Sequence, residues 1–177
     1  MKLSTLYLTS LALLPSFIAA AAIPEAAPRS EEASTIVKRA GEVNYIANCI
    51  RVNPYGTYEY YASYMAWYAN QDNSQNGQWP DSLSNEYRNW ANGGSYLDWT
   101  QPQSVYFSGS GVSVQSDLES WAWNPPVGTA VGWATRTSDS KKFTCYRDND
   151  RQLFNWTPPV PDGTDRSILC YSAFWCN

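Results

Sequence analysis

Four cysteines constrain this chain more than any other feature, because Cys49 stands far from Cys145, Cys170 and Cys176. No two of them have the two-residue spacing of a zinc knuckle, so two disulfides are expected in preference to a thiolate metal site. The stretch from Ser167 to Trp175 is rich in aromatic and branched residues and reads as a strand. Six extended residues cover about 20 Å, beyond disulfide reach, so Cys170 and Cys176 should not pair with each other. The expected partner of Cys49 is Cys170 or Cys176, with Cys145 taking the other. Either arrangement ties the start of the cysteine-containing region to its last strand and closes loops on the order of 100 residues.

Disulfides persist in oxidising compartments, and the N-terminus supplies the route to one. Lys2, an apolar run from Leu6 to Ile18 and the small residues Ala19 to Ala22 read as a signal peptide over residues 1–22, too short to span a bilayer. Residues 23–39 are dominated by Pro, Ala, Ser and Glu without an aromatic ring, a composition that cannot bury a core. They end in Lys38-Arg39, which resembles a kexin-type processing site. The expected product is a secreted protein of residues 40–177, a single disulfide-bonded domain.

Apart from Tyr7 and Phe17, every aromatic residue, including all nine Trp, follows Arg39. Each ring removes roughly 150 to 250 Å² from water when buried, so even a short domain of this composition can build a substantial core. There is no histidine. That excludes Ser-His-Asp and Cys-His catalysis, the common His-bearing zinc sites and His-based ribonuclease chemistry. Residues 40–177 carry eight basic and thirteen acidic side chains, a formal net charge of −5. With that balance, and with Lys141 to Arg151 interleaved with Asp148 and Asp150, nucleic-acid binding is not expected. No membrane span and no cofactor are expected, and the sequence carries no signal of oligomeric state.

Along the chain, Glu42 to Val52 alternates and stops at the turn Asn53-Pro54-Tyr55-Gly56, predicting a first strand. From Thr57 to Asn70 a period of two places Tyr58, Tyr60, Ala62, Tyr64, Ala66 and Tyr68 on one face, predicting a second. A short helix is expected from Leu83 to about Ala91, capped by Asp81 or Ser82, with Leu83, Tyr87 and Trp90 on one stripe and Asn92-Gly93-Gly94 ending it. Further strands are expected at Ser104 to Gln115, Gly128 to Thr137, Lys141 to Arg147, Gln152 to Trp156 and Ser167 to Trp175. Ser138-Asp139-Ser140 and Asp148-Asn149-Asp150 read as hairpin connections. The fold class is therefore mainly β: a compact antiparallel β-sandwich or β-rich α+β domain with one short helix and two disulfides. Asn155-Trp156-Thr157 is a glycosylation sequon, disfavoured by Pro158 and by its place in a strand.

Three features carry candidate chemistry. Asp72, Ser74 and Asn76 followed by Gly77 match the first half of an EF-hand loop, but Leu83 stands where the closing bidentate Glu belongs, leaving a weak calcium alternative. A carboxylate pair is the second: Glu59, in Tyr58-Glu59-Tyr60-Tyr61, lies in a tetrapeptide that resembles the nucleophile strand of small jelly-roll xylanases. Such chemistry needs two acids, and the partner would be Glu119. The third is the aromatic surplus: Trp79 and Trp123 stand beside Pro in turn-like sequence, and Tyr96 and Trp99 follow the Gly-Gly break. These four are the expected binding surface.

The layout of signal peptide, pro-segment, Lys38-Arg39 and an aromatic-rich domain ending in Cys170-Tyr-Ser-Ala-Phe-Trp-Cys176 resembles that of small secreted cysteine-containing proteins of filamentous fungi, many of them candidate effectors. The aromatic-x-Cys signature of ribonuclease-like fungal effectors is absent, since Ala47 fills the aromatic position before Cys49. The resemblance implies a secreted, non-enzymatic, effector-like or binding protein acting on an extracellular host protein or a cell-wall glycan. A carboxylate-dependent glycoside hydrolase and a secreted antimicrobial or cytotoxic protein are the alternatives, the acidic charge weighing against the last.

Overall fold

The computed structural model describes residues 41–52, 58–157 and 167–177. The expectations for the signal peptide, the pro-segment with Lys38-Arg39 and the turn at residues 53–56 lie outside those residues.

Among the described residues, alternating apolar residues build nine strands: β1 (Val43–Val52), β2 (Tyr58–Tyr68), β3 (Ser82–Leu83), β4 (Gln103–Phe107), β5 (Val112–Leu118), β6 (Ala130–Arg136), β7 (Lys142–Arg147), β8 (Gln152–Trp156) and β9 (Ile168–Cys176). Every pairing is antiparallel, in the order β3-β2-β1-β9-β7-β6-β5-β4, with β8 also on β9. The chain after β3 runs between the two ends of this order. Ser63 and Tyr87 exchange backbone hydrogen bonds of 2.8 and 3.0 Å, and the Asn85 amide donates to the Tyr106 carbonyl of β4 at 2.8 Å. The sheet is thereby nearly closed into a barrel, which protects edges that would otherwise invite pairing with another chain.

The period of two sorts side chains onto two cores. Inside the barrel, Ile46, Met65, Trp99, Phe107, Phe143 and Phe174 are among the buried residues. Outside it, β1 and β2 present a second buried face, where Tyr45 lies opposite Ala66 and Ala47 opposite Tyr64. Each ring thus fills the space left by a small partner, and β8 with the turn after β2 covers the layer.

The disulfides are Cys49–Cys170 and Cys145–Cys176, one of the two expected arrangements. Each joins residues directly opposed in the ladder, β1 to β9 and β7 to β9. On a regular strand Cys170 and Cys176 would share a face, but the β1–β9 register slips between Ile46 and Ala47, leaving Ala173 as an extra residue. That bulge turns Cys170 to the outer core and Cys176 to the interior, so one staple secures each layer.

Three expectations are corrected. No α-helix forms over Leu83 to Ala91; the described residues contain only short 3-10 segments, Gln71–Asn76 and Trp90–Asn92. The edge of β2 offers unpaired backbone groups that the segment satisfies by extending: Ser84 N donates to the Met65 carbonyl, and Met65 N donates to Ser84 Oγ, both at 2.9 Å. This pairing outweighs the weak helical propensity. The single strand expected over Ser104 to Gln115 is a β4–β5 hairpin, turned at Ser108 to Gly111, where Gly111 has φ 69°. Asp148-Asn149-Asp150 is not a hairpin connection, because β7 and β8 run in one direction along the same side of β9.

Candidate functional site

The interruption between β7 and β8 shapes a concavity. The chain leaves the ladder at Asp148, whose amide donates to the Ala173 carbonyl at 3.0 Å, and rejoins it at Arg151, whose carbonyl accepts from the Ser172 amide at 2.9 Å. Asp150 makes the excursion in the left-handed region, φ 56°, which a short polar side chain tolerates. Ionic groups hold it from within. The Asp148 carboxylate, 7% exposed, accepts from the buried Ser172 hydroxyl and, at 2.8 Å, from the Asn149 amide. Arg147 donates to the Asp150 carboxylate and the Ala173 carbonyl, both at 2.7 Å, while its guanidinium lies over Trp123 and Phe174. Arg151 reaches the other way, to the Ser74 carbonyl at 2.7 Å and the Tyr45 hydroxyl at 3.0 Å.

Beside this excursion lies a groove of about 580 Å³. Its floor is Tyr146 on β7 and Trp175 on β9, directly opposed in the ladder and stacked with ring centroids 4.3 Å apart and planes 19° from parallel. Since Cys145 and Cys176 point into the barrel, the residue beside each must point out. Gln71 and Gln75 of the first 3-10 segment, Asn149 and Asp148 of the excursion, and Val127 and Gly128 before β6 form the walls. The charged side chains that line the groove, Asp148 and Arg151, are engaged with protein partners, and beside them it presents aromatic surface and amides. Beneath it, Tyr68 donates to the Gln78 carbonyl at 2.9 Å. Its phenol is held well above the ordinary range, first by burial and then by Tyr45, so it stays neutral.

A second charged cluster lies at the mouth of the barrel. Burial would raise the Glu42 pKa, but hydrogen bonds from Lys141, Trp67 and Arg136 outweigh it and hold the carboxyl below its ordinary value. Asp139, in a fork with Arg136, is held at about 2 by that hydrogen bond and by the Lys141 amide.

The residues expected to bind are scattered. Trp99 has no exposure: it lies in the barrel core with its indole N–H donating to Asn48 Oδ1 at 3.3 Å, so it forms no part of a surface. Trp79 is 52% exposed and caps the outer core edge-on to Phe154 and Trp156. Tyr96 packs edge-on to Tyr61, and Trp123, 39% exposed, covers Phe174 and Arg147. None of the four lines the groove. Trp90, expected on one stripe of a helix with Leu83 and Tyr87, is the most exposed large ring among the described residues at 73%, folded over Gly94.

The calcium alternative fails on geometry. Asp72, Ser74 and Asn76 belong to a 3-10 segment, and Ser74 faces inward, with no exposure, bonded to Tyr45 and Arg151. The Arg151 guanidinium already occupies the side from which a cation would approach. Glu119 is exposed just beyond β5, its amide donating to the Val131 carbonyl. Glu59 lies on β2, and its side chain lies outside the described residues. Among the described residues no three acidic, Cys or His side chains converge as a metal site would require, and no helix is long and apolar enough to cross a membrane.

The floor of the groove follows from the disulfide pairing, which the sequence left open between two arrangements. Once Cys145 and Cys176 are opposed in an antiparallel pair, Tyr146 and Trp175 must be opposed as well, on the other face. Comparison of the chain with protein-family models, with curated proteins and with solved structures gave no match.

Proposed function

We propose that the chain is an exported, non-enzymatic, effector-like binding protein that holds a neutral glycan of a cell wall or host surface in the groove floored by Tyr146 and Trp175. The observation that carries this reading is the stacked aromatic pair flanked by amides in a groove whose charged side chains are engaged within the protein. A sugar ring offers an apolar C–H face that packs on an aromatic ring, and hydroxyls that amides can both donate to and accept from. With the Asp148 and Arg151 side chains engaged by protein partners, the groove favours a neutral ligand over an ionic one. Export rests on the signal-like residues 1–22, on Lys38-Arg39 and on the two disulfides.

The hydrolase alternative requires two carboxyl groups about 5 to 10 Å apart across a bound sugar. Asp148 is the acidic side chain lining the groove, and both of its oxygens serve the excursion. The test is pull-down of the purified protein on insoluble cell-wall polysaccharides, with released reducing sugar measured in the same samples. Binding without release is expected, weakened about three- to tenfold by Tyr146→Ala through loss of one stacked ring and unchanged by Trp90→Ala. Sugar release abolished by Glu59→Gln or Glu119→Gln would replace this reading with the hydrolase, and binding to no polysaccharide would direct the search to a protein partner.

A further inference from the structure

A second pocket, of about 160 Å³, opens at the end of the barrel near the β4–β5 turn. Its walls are Trp67, Phe107, Val112 and Val114, with Asn44 of β1 at the base and the exposed Ser110 at the rim. Asn44 is 2% exposed, and its side-chain nitrogen has no hydrogen-bond partner. A buried amide donor left unpaired costs about 1 to 3 kcal/mol, so a residue of this kind among apolar walls calls for an acceptor. The Ser82 and Ser110 hydroxyls also line the pocket, so its lining is mainly, not wholly, apolar. Arg136 also lines the pocket, but Asp139 and Glu42 neutralise it. The site therefore offers no net positive charge to an anion.

We infer that this pocket binds a small, neutral, mainly apolar molecule carrying one hydrogen-bond acceptor, of the size and chemistry of an aryl ketone, with the acceptor on Asn44 Nδ2. The volume suits it: an apolar protein cavity of about 150 Å³ accommodates benzene. The site is separate from the Tyr146–Trp175 groove, and neither reading depends on the other.

The test compares acetophenone with α-methylstyrene, which keeps the shape and replaces the carbonyl oxygen by a methylene. Titrations of the whole protein are followed by tryptophan fluorescence and, for Trp67 itself, by its indole N–H resonance. Acetophenone should bind about tenfold more tightly, since only it satisfies the buried donor. Asn44→Leu should erase that preference while retaining α-methylstyrene, and Ser110→Trp, at an exposed turn position that does not disturb the core, should block both. Absence of saturable binding to the wild type would overturn the inference. So would equal binding of the two compounds, or a preference that survives Asn44→Leu.

Discussion

Removing the two disulfides separately should cost unequal amounts, and the sequence separations set the difference. Consider Cys49→Ala with Cys170→Ala in one variant, and Cys145→Ala with Cys176→Ala in another. All four cysteines are fully buried and each pair bridges opposed strands, so the losses of packing are similar and largely cancel in the comparison. What differs is the freedom returned to the unfolded chain, whose closed loops span 121 and 31 residues. The loop-closure relation gives about 4.9 kcal/mol for the longer loop and about 3.7 kcal/mol for the shorter. The remaining bridge scarcely shortens either path, so the gap of about 1.2 kcal/mol survives in the single-bridge variants. Urea unfolding followed by tryptophan fluorescence measures it, provided the two variants show equal m-values. On heating, the variant lacking Cys49–Cys170 should melt about 3 to 6 °C below the other. If the variant lacking Cys145–Cys176 were equally or less stable, the chain-entropy argument would be refuted, and strain or packing at the barrel interior would govern instead.

Gly132 sits at φ 145° where β6 approaches β5, and an added Cβ would fall 2.8 Å from the Leu118 Cα and closer still to the Asp117 carbonyl, so Gly132→Ala should destabilise by about 3 kcal/mol in the same urea assay. Glu42 and Asp139 both have folded pKa values below their ordinary 4.5 and 3.8, so their stabilisation is complete above about pH 5 and is lost as the pH falls through the folded values. Stability measured from pH 7 to 2 should therefore fall below about pH 4.5, and Glu42→Gln should flatten that decline; an unchanged slope would remove Glu42 from the account. Trp99→Ala should cost about 3 to 5 kcal/mol, whereas Trp90→Ala should cost less than about 0.5 kcal/mol, and equal losses would contradict the placement of the two rings.

Strand existence was legible where a period of two ran without interruption. The alternation of Ala and Tyr in β2 identified the face that packs outside the barrel, and the aromatic run of β9 identified the strand that both disulfides hold. Legibility failed where long-range pairing overrode local pattern. The stretch after Ser82 has helical spacing and a capping residue, yet the open edge of β2 draws it into extended structure. Asp148 to Arg151 carries turn residues, yet the chain does not reverse there, because β9 continues alongside and pairs with both flanks. Trp99 departs from expectation for a related reason: following Gly-Gly does not expose it, because it returns into the barrel to meet Asn48, whereas Trp79 and Trp123, beside Pro, are exposed. The groove rings were hidden because their alignment depends on which cysteines pair, which strand patterning left open between two arrangements.

The central claim, that the Tyr146–Trp175 groove takes a neutral glycan, is tested most directly by the nine tryptophan indole N–H resonances during titration with a soluble oligosaccharide of a polymer the protein retains. The Trp175 resonance should shift saturably, with little change at Trp79, Trp90 and Trp133, and Tyr146→Ala should move the curve to higher ligand concentration. Saturable shifts confined to those exposed rings, with Trp175 unmoved, would place recognition elsewhere and contradict the account.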